Sequence, residues 1–265
     1  MKRITLGALD YGVSFGVDRT LRQLLLERRL SAVGCLVASS LWSREFKPLQ
    51  EVADEIGGKP LIGVTLAFSG DRVAPVSARM QQVYGPVMPS RTKWVHRSFL
   101  RLLPDDILRE EARAQLDRFV SLMEREPAIV AVRDGLLARF ALARLVIDTI
   151  AECKFKTPPL LICPVQSRRA HARMSARAAP NGVKVLPRGP SLPETDNPEE
   201  LQVRLEHHFD GLADMTFVAS IPGRADKRLR RDEPQEKIAI RECQREVLAS
   251  GRFFRTLVAK DVFLH

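Results

Sequence analysis

Short apolar runs alternate with longer stretches of helical period along the chain. The short runs predict seven strands, at 2–8, 32–38, 61–67, 128–132, 159–164, 183–186 and 215–219. Between these runs, apolar residues recur every three or four positions. This period predicts helices at 17–30, 45–56, 104–123, 136–151, 198–209 and 235–250. Strands that alternate with helices pair in parallel through right-handed crossovers.

The near-continuous apolar character of these strands favours one fold class over its alternative. It indicates an α/β fold, an irregular (β/α) barrel of about seven parallel strands, and a doubly wound open sheet is the runner-up. A length of 265 residues fits a single domain spanning 1–265. Segments 69–99 and 166–197 break the pattern, so we expect two long loops at the barrel mouth.

The composition describes a chain with a substantial core. Apolar residues make up 45% of the chain and charged residues 28%, which argues against global disorder. No apolar run is long enough to predict a transmembrane segment, and the start does not read as a signal peptide, so we expect a cytoplasmic protein. The four scattered cysteines form no C-x-x-C pair, which favours buried reduced thiols over a zinc or disulfide role.

Positive charge is concentrated in one part of the chain. The formal net charge is +10, and positions 153–193 hold eight basic residues and no acidic one. Such a field favours anionic partners, whether a phosphorylated ligand, an acidic lipid headgroup or nucleic acid. The basic loop 168–188 within this segment lacks aromatic residues for base stacking, which disfavours nucleic acid. For any single arginine, a solvated loop position is the alternative reading.

Four segments, in order, resemble the YdjC-like (ChbG/HpnK) carbohydrate deacetylases. "ALDYGVSFG" at 8–16 is similar to that family's Ala-Asp-Asp-Phe-Gly-type motif, and "IGVTLAFSG" at 62–70 to its third strand. "LREEARAQ" at 108–115 resembles the Arg-x-Glu-x-x-x-Gln helix before its His-rich strand end. "SIPG" at 220–223 stands where the family has His-Pro-Gly, followed by the family-like "RECQREVLAS". For the fold, the resemblance implies an irregular (β/α) barrel.

For the chemistry, the resemblance implies metal-dependent removal of an acetyl group from an N-acetylated sugar. A divalent metal polarises the amide carbonyl and activates water, and a carboxylate takes the proton. Of the family's metal-ligand positions, one holds the expected residue, Asp10, and the other two hold Thr65 and Arg133. The general-base position is Leu9 and the late histidine position is Ile221, so no catalytic residue is intact.

Two interpretations remain open for each of the charged residues Arg133 and Asp10 at these strand ends. Arg133 either forms an ion pair with Asp10 that replaces the carboxylate–metal pair, or pairs with Asp134 at the surface. Asp10 is otherwise a turn or N-cap carboxylate for the helix after it. Tyr11 and Trp94 either stack on a sugar ring or pack in the core.

Several residues form the predicted ligand-binding set, and three hypotheses follow. The set is Asp10, Tyr11, Thr65, Arg133, Asp134, Arg168 and Arg188. The first hypothesis is a pseudo-deacetylase that binds a carbohydrate or glycolipid, with an anionic ligand at a mouth formed by Arg133, Arg168, Arg188 and Arg224, and without a cofactor. The second is an active deacetylase holding Mg or Zn with relocated ligands, from His96, His171, His207, His208 or a partner chain. The third is a polyanion-binding protein using the basic loop 168–188. A homo-oligomer is compatible with all three.

Overall fold

The computed structural model describes residues 2–57 and 60–265. In this part of the chain there are eight strands and eleven α-helices, together with two short 3-10 helices. The strands are β1 (Lys2–Tyr11), β2 (Ala32–Cys35), β3 (Leu61–Leu66), β4 (Ile129–Val132), β5 (Leu160–Ile162), β6 (Val185–Leu186), β7 (Thr216–Ser220) and β8 (Val262–Leu264).

The helices follow the strands in alternation over most of the chain. They are α1 (Phe15–Leu26), α2 (Trp42–Glu55), α3 (Ala78–Tyr84), α4 (Arg91–Phe99), α5 (Asp105–Met123), α6 (Phe140–Glu152), α7 (Arg168–Ala178), α8 (Pro198–His208), α9 (Lys227–Asp232), α10 (Gln235–Ala249) and α11 (Gly251–Ala259). All seven predicted strands and all six predicted helices are present, each within a few residues of the predicted bounds. Strand β8 is the additional strand.

The chain divides into two compact units built from interleaved segments. The first unit contains 1–34, 47–61 and 189–265, and the second contains 35–46 and 62–188. In the first unit the strand order is β2-β1-β7, and β8 also pairs with β1. Strand β1 runs parallel to β7, with Ala8 opposite Ser220, so the carboxyl ends of these two strands lie at the same edge. This edge carries Asp10 and the segment that follows β7.

The second unit contains the parallel strand order β6-β5-β4-β3. Strand β3 pairs with β4 with Thr65 opposite Ala131, and β4 pairs with β5 with Val130 opposite Leu161. Helices α5 and α6 pack against each other in this unit. The carboxyl ends of β4, β5 and β6 lead to Arg133, Arg168 and Arg188 respectively.

The two segments predicted as long loops contain helices. Segment 69–99 holds α3 and α4, and segment 166–197 holds α7 and β6. Each of these three helices begins after a serine whose hydroxyl accepts a hydrogen bond from a backbone N–H of the first turn, and the capping residues are Ser77, Ser90 and Ser167. An N-cap satisfies N–H groups that would otherwise have no partner, so it stabilises a short polar helix with little apolar period.

The predicted α/β fold class, an irregular (β/α) barrel with seven parallel strands joined by helices, is confirmed. That residues 1–265 form a single domain stays a prediction. Among residues 2–57 and 60–265, no helix combines the length and apolar character that crossing a membrane requires.

Candidate functional site

A buried ion-pair cluster lies at the carboxyl end of β1 in the first unit. The Arg241 guanidinium, on α10, places Nη1 2.7 Å from Oδ2 of Asp10. Its Nε and Nη2 donate to the two carboxylate oxygens of Glu233 at 2.7 and 3.0 Å. The side chains of Arg241, Glu233 and Asp10 are 2%, 5% and 18% exposed. The ion-pair partner of Asp10 is therefore Arg241, and the predicted pair of Asp10 with Arg133 is wrong.

The electrostatics of the cluster favour the charged forms of Arg241 and Glu233. Burial lowers the pKa of the Arg241 guanidinium, but the attraction of Asp10 and Glu233 raises this pKa by more, so it lies above its ordinary value. Burial raises the pKa of the Glu233 carboxyl, but hydrogen bonds and charges from Arg241 and Lys237 lower it by more, so the net shift is downward. One cation between two carboxylates thus forms a network that satisfies most of its own donors and acceptors.

Helix α10 also fixes the segment that follows β7. Arg241 Nη1 donates to the backbone carbonyl of Ile221 at 3.2 Å, and the Ile221 N–H donates to Oε1 of Gln244 at 2.7 Å. The Gly223 N–H donates to the Arg241 carbonyl at 3.1 Å. Gln244 donates in turn to the carbonyl of Pro193 at 3.2 Å. The backbone of the "SIPG" segment is therefore held by hydrogen bonds from α10, and the Ile221 side chain contributes no polar group.

The turn between β1 and α1 shows that Asp10 does not cap the following helix. Ser14 is the N-cap, because its hydroxyl accepts from the N–H of Val17. The N–H of Gly12 donates to Oδ1 of the buried Asp18 at 2.6 Å. The N-cap alternative for Asp10 is therefore wrong, and its carboxylate is directed to Arg241.

In the second unit, Thr65 lies on β3 and is 2% exposed. Its hydroxyl has no hydrogen-bond partner within the described ranges. The segment after β3 is held by the "REEARAQ" helix: Gln115 accepts from the N–H of Ala67 at 2.9 Å and donates to its carbonyl at 2.7 Å. Glu111 accepts from the N–H of Ser77 at 2.8 Å. The Arg-x-Glu-x-x-x-Gln motif thus positions backbone in this unit.

Arg133 and Asp134 follow β4 and pair with each other. Arg133 Nε lies 3.7 Å from Asp134 Oδ1, and both side chains are about one third exposed. Asp134 adopts a left-handed backbone conformation, with φ 58°. Its other carboxylate oxygen accepts from the Ser69 hydroxyl at 2.7 Å, and Arg91 donates to its carbonyl at 2.9 Å. The surface alternative for Arg133 is the one that the structure shows.

The remaining predicted ligand-binding residues differ in accessibility. Tyr11 is fully buried and its hydroxyl accepts from Arg22 at 2.7 Å, and Trp94 is 2% exposed with its indole N–H donating to a backbone carbonyl. Both side chains pack in the core, so stacking on a sugar is wrong for this conformation. Arg168 is exposed at the start of α7. Arg188 is half-buried, and burial lowers its pKa.

Comparison with models of known protein families identifies the family of this chain. The model of the family described as "YdjC-like protein" matches residues 3–259. The chain belongs to the YdjC-like family. The resemblance to YdjC-like carbohydrate deacetylases drawn from the sequence is thereby confirmed.

A solved structure supports the fold of this family member. The chain is similar to a candidate cellobiose-phosphate cleavage protein (EF3048) from Enterococcus faecalis V583, with a TM-score of 0.75 and 14% sequence identity. The match covers 100% of this chain and 97% of that chain. At this identity the likeness shows the fold alone. No curated protein sequence matches the chain significantly.

The residues at the YdjC-like ligand positions do not fit a divalent metal. Oδ2 of Asp10 is engaged by Arg241, and Oδ1 is buried without a hydrogen-bond partner among residues 2–57 and 60–265, so one carboxylate oxygen is left as a donor. Thr65 offers a neutral hydroxyl, and the Arg133 guanidinium has no lone pair to donate. A catalytic zinc site uses about three protein ligands. This donor set falls short of that number.

The histidines do not rebuild such a site within the described residues. His96 lies on α4, His171 lies 3.0 Å from a backbone carbonyl of β6, and His207 pairs with Asp210 at the surface. Burial lowers the pKa of His208. In the part of the chain that the structure describes, no group of three or more His, Cys, Asp or Glu side chains could hold a metal ion.

Sequence reasoning missed Arg241, Glu233 and Gln244, although a signal for two of them was present. Arg241 and Gln244 stand on the buried stripe of α10, which also carries Ile238 and Leu248 at helical spacing. A cation on the apolar face of an amphipathic helix requires a buried partner, because an unpaired buried charge is costly. The pattern indicates such a partner, but it does not identify it as Asp10.

Proposed function

We propose that this YdjC-like protein is a cytoplasmic pseudo-deacetylase, which binds a carbohydrate or glycolipid and does not carry out metal-dependent N-deacetylation. The observation that carries the proposal is the 2.7 Å contact between Arg241 Nη1 and Asp10 Oδ2. A guanidinium on the carboxylate supplies the positive charge that a metal supplies in metal-dependent relatives. Leu9 and Ile221 provide neither a base nor an imidazole, so the two positions that resemble the family's proton-transfer positions hold no group for proton transfer.

The proposed ligand carries an anionic group. Arg133, Arg168 and Arg188 follow β4, β5 and β6 at the carboxyl ends of neighbouring parallel strands, where α/β proteins place their ligand sites. The chain carries a net charge of +10. The name of the similar Enterococcus faecalis protein refers to a phosphorylated disaccharide. These observations favour a phosphate- or carboxylate-bearing sugar over a neutral oligosaccharide.

The test combines binding and turnover on the full chain. Calorimetry with neutral chitooligosaccharides, acidic sugars and sugar phosphates measures binding, and an acetate-release assay with added magnesium, zinc or nickel measures hydrolysis of N-acetylated sugars. We expect saturable binding of an anionic sugar and no acetate release. Acetate release that disappears in Asp10→Asn would contradict the proposal. Stabilisation of the protein by neutral chitooligosaccharides, with none by acidic sugars, would contradict the proposal that the ligand carries an anionic group.

A second candidate function rests on the exposed face of α7. Arg168, Arg169 and Arg173 are exposed, and none forms an ion pair with an acid within the described ranges. The predicted basic loop is therefore an arginine-bearing helix, which could bind a polyanion. Retention of the full chain on heparin across a salt gradient tests this function. We expect earlier elution for a variant with all three arginines changed to Gln, and an unchanged elution would dismiss it.

A further inference from the structure

A cavity of about 430 Å³ with polar and apolar walls opens in the first unit, outside the Asp10 cluster. Its walls come from the first turns of α1, from segment 224–226 after β7 and from α10. Three arginines line it, one from each element: Arg19, Arg224 and Arg245. We refer to it as the arginine cavity. Its volume lies within the range of small-molecule sites, roughly 300–1,000 Å³.

The guanidinium groups that line the arginine cavity outnumber the carboxylates that line it. Within residues 2–57 and 60–265, none of the three arginines forms an ion pair, and the buried Nε of Arg245 has no hydrogen-bond partner. The carboxylate in the lining, Asp226, is already used: it accepts from the N–H of Gly16 and from the N–H of Leu229, each at 2.8 Å. Three guanidiniums and one carboxylate leave a formal charge of two positive units.

The walls of the arginine cavity are held in fixed positions by backbone contacts. A Cβ atom on Gly16 would lie 2.2 Å from the carbonyl oxygen of Arg224, so α1 and segment 224–226 approach as closely as glycine allows. The N–H of Ala225 donates to Oε1 of Glu242 on α10 at 3.1 Å. The three elements that carry the arginines are thus tied to one another. A preformed site loses less free energy in ordering itself around a ligand.

We propose that the arginine cavity binds the phosphate monoester dianion of a small molecule. Guanidinium groups match phosphate oxygens in pairs, and two net positive charges complement a dianion. A bound phosphate supplies a counter-charge to the partly buried Arg245 and to the exposed Arg19 and Arg224. This inference does not depend on the proposed function, because none of these three arginines lies in the Asp10 cluster or on strands β4 to β6.

The experiment measures binding of inorganic phosphate and glucose 6-phosphate to the full chain. Glucose and potassium chloride at equal ionic strength are the control ligands. Calorimetry and thermal unfolding report affinity for the wild type, Arg224→Gln and Arg245→Gln. Arg113→Gln is the matched control, because it removes the same charge from an exposed position on α5 that belongs to no proposed binding site. We expect saturable binding of both phosphate probes, weakened about tenfold in each cavity variant and unchanged in the control.

Three results would overturn the inference. The first is phosphate binding no stronger than the effect of chloride. The second is equal affinity in the wild type and Arg224→Gln; this side chain is exposed, so its loss should not unfold the chain even if Arg245→Gln does. The third is binding confined to phosphatidic acid vesicles with none for glucose 6-phosphate, which would assign the surface to a lipid headgroup.

Discussion

Arg241 on α10 and Asp10 at the end of β1 form a buried ion pair, with Nη1 2.7 Å from Oδ2. Glu233 holds the other side of the same guanidinium at 2.7 and 3.0 Å. The surviving acid of a YdjC-like ligand set is therefore part of a structural network within the first unit. Its role in the fold can be measured separately from any role in ligand binding.

Removing the cation should strongly destabilise the protein. Arg241→Met leaves the carboxylate of Asp10 without its ion-pair partner and that of Glu233 with Lys237 alone. We expect a loss of roughly 3–5 kcal/mol in the free energy of unfolding, since breaking a buried pair leaves uncompensated charge. Urea denaturation measures it. Lys237→Met is the control, because Lys237 contacts the same Glu233 at 2.9 Å but is 45% exposed, and should cost less than about 1 kcal/mol. Equal losses in the two variants would show that Arg241 has no special role.

Arg133→Gln should leave stability nearly unchanged. Its partner Asp134 is 3.7 Å away and both side chains are partly exposed, so we expect a change within about 0.5 kcal/mol in the free energy of unfolding. The same urea titration serves as the measurement. A loss as large as that of Arg241→Met would mean that Arg133 forms a buried ion pair, as one of the two interpretations of Arg133 from the sequence held.

Acid should weaken the fold through Glu233. Its folded-state pKa lies below the ordinary value of 4.5, so the group contributes stability above that value and loses it as the pH falls through the folded pKa. We expect the free energy of unfolding to decline below about pH 4.5 more steeply in the wild type than in Glu233→Gln. Denaturation at a series of pH values tests this. Parallel profiles would exclude Glu233 as the source.

The close approach of α1 to the segment after β7 should not tolerate a methyl group. In Gly16→Ala the new Cβ would meet the carbonyl oxygen of Arg224 at 2.2 Å, so we expect a loss of about 1–3 kcal/mol in unfolding free energy. Gly251→Ala is the matched control, because the nearest atom there is the end of a flexible arginine at 3.7 Å. Thermal and urea unfolding of both variants should differ clearly. A neutral Gly16→Ala would show that this backbone contact can relax.

The strands and long helices were predictable because their apolar period follows directly from burial. Strand β7, for example, is an apolar run, and helix α10 carries a buried stripe at helical spacing. Strand β8 was missed because its apolar run of three residues is shorter than every run from which a strand was predicted. Helices α3, α4 and α7 were missed because their formation depends on serine caps and tertiary contacts rather than on an apolar stripe.

The sequence predicted which metal-ligand and catalytic residues are absent from the site, but it did not predict that Arg241 pairs with Asp10. The residues at Leu9, Thr65, Arg133 and Ile221 could be read directly from the motifs. The partner of Asp10 could not, because a pair between the first strand and a helix near the end of the chain depends on the fold. The nearer arginine after a strand, Arg133, was the plausible choice from sequence, but its carboxylate neighbour Asp134 lies within reach along the chain.

The metal content of the full chain tests the central claim most directly. The protein is stripped with a chelator, reloaded separately with zinc, magnesium and nickel, freed of unbound ion and analysed by mass spectrometry of the elements, with Asp10→Asn in parallel. We expect substoichiometric metal in both proteins, because Asp10 forms an ion pair with Arg241. Stoichiometric metal in the wild type that is lost in Asp10→Asn would contradict it.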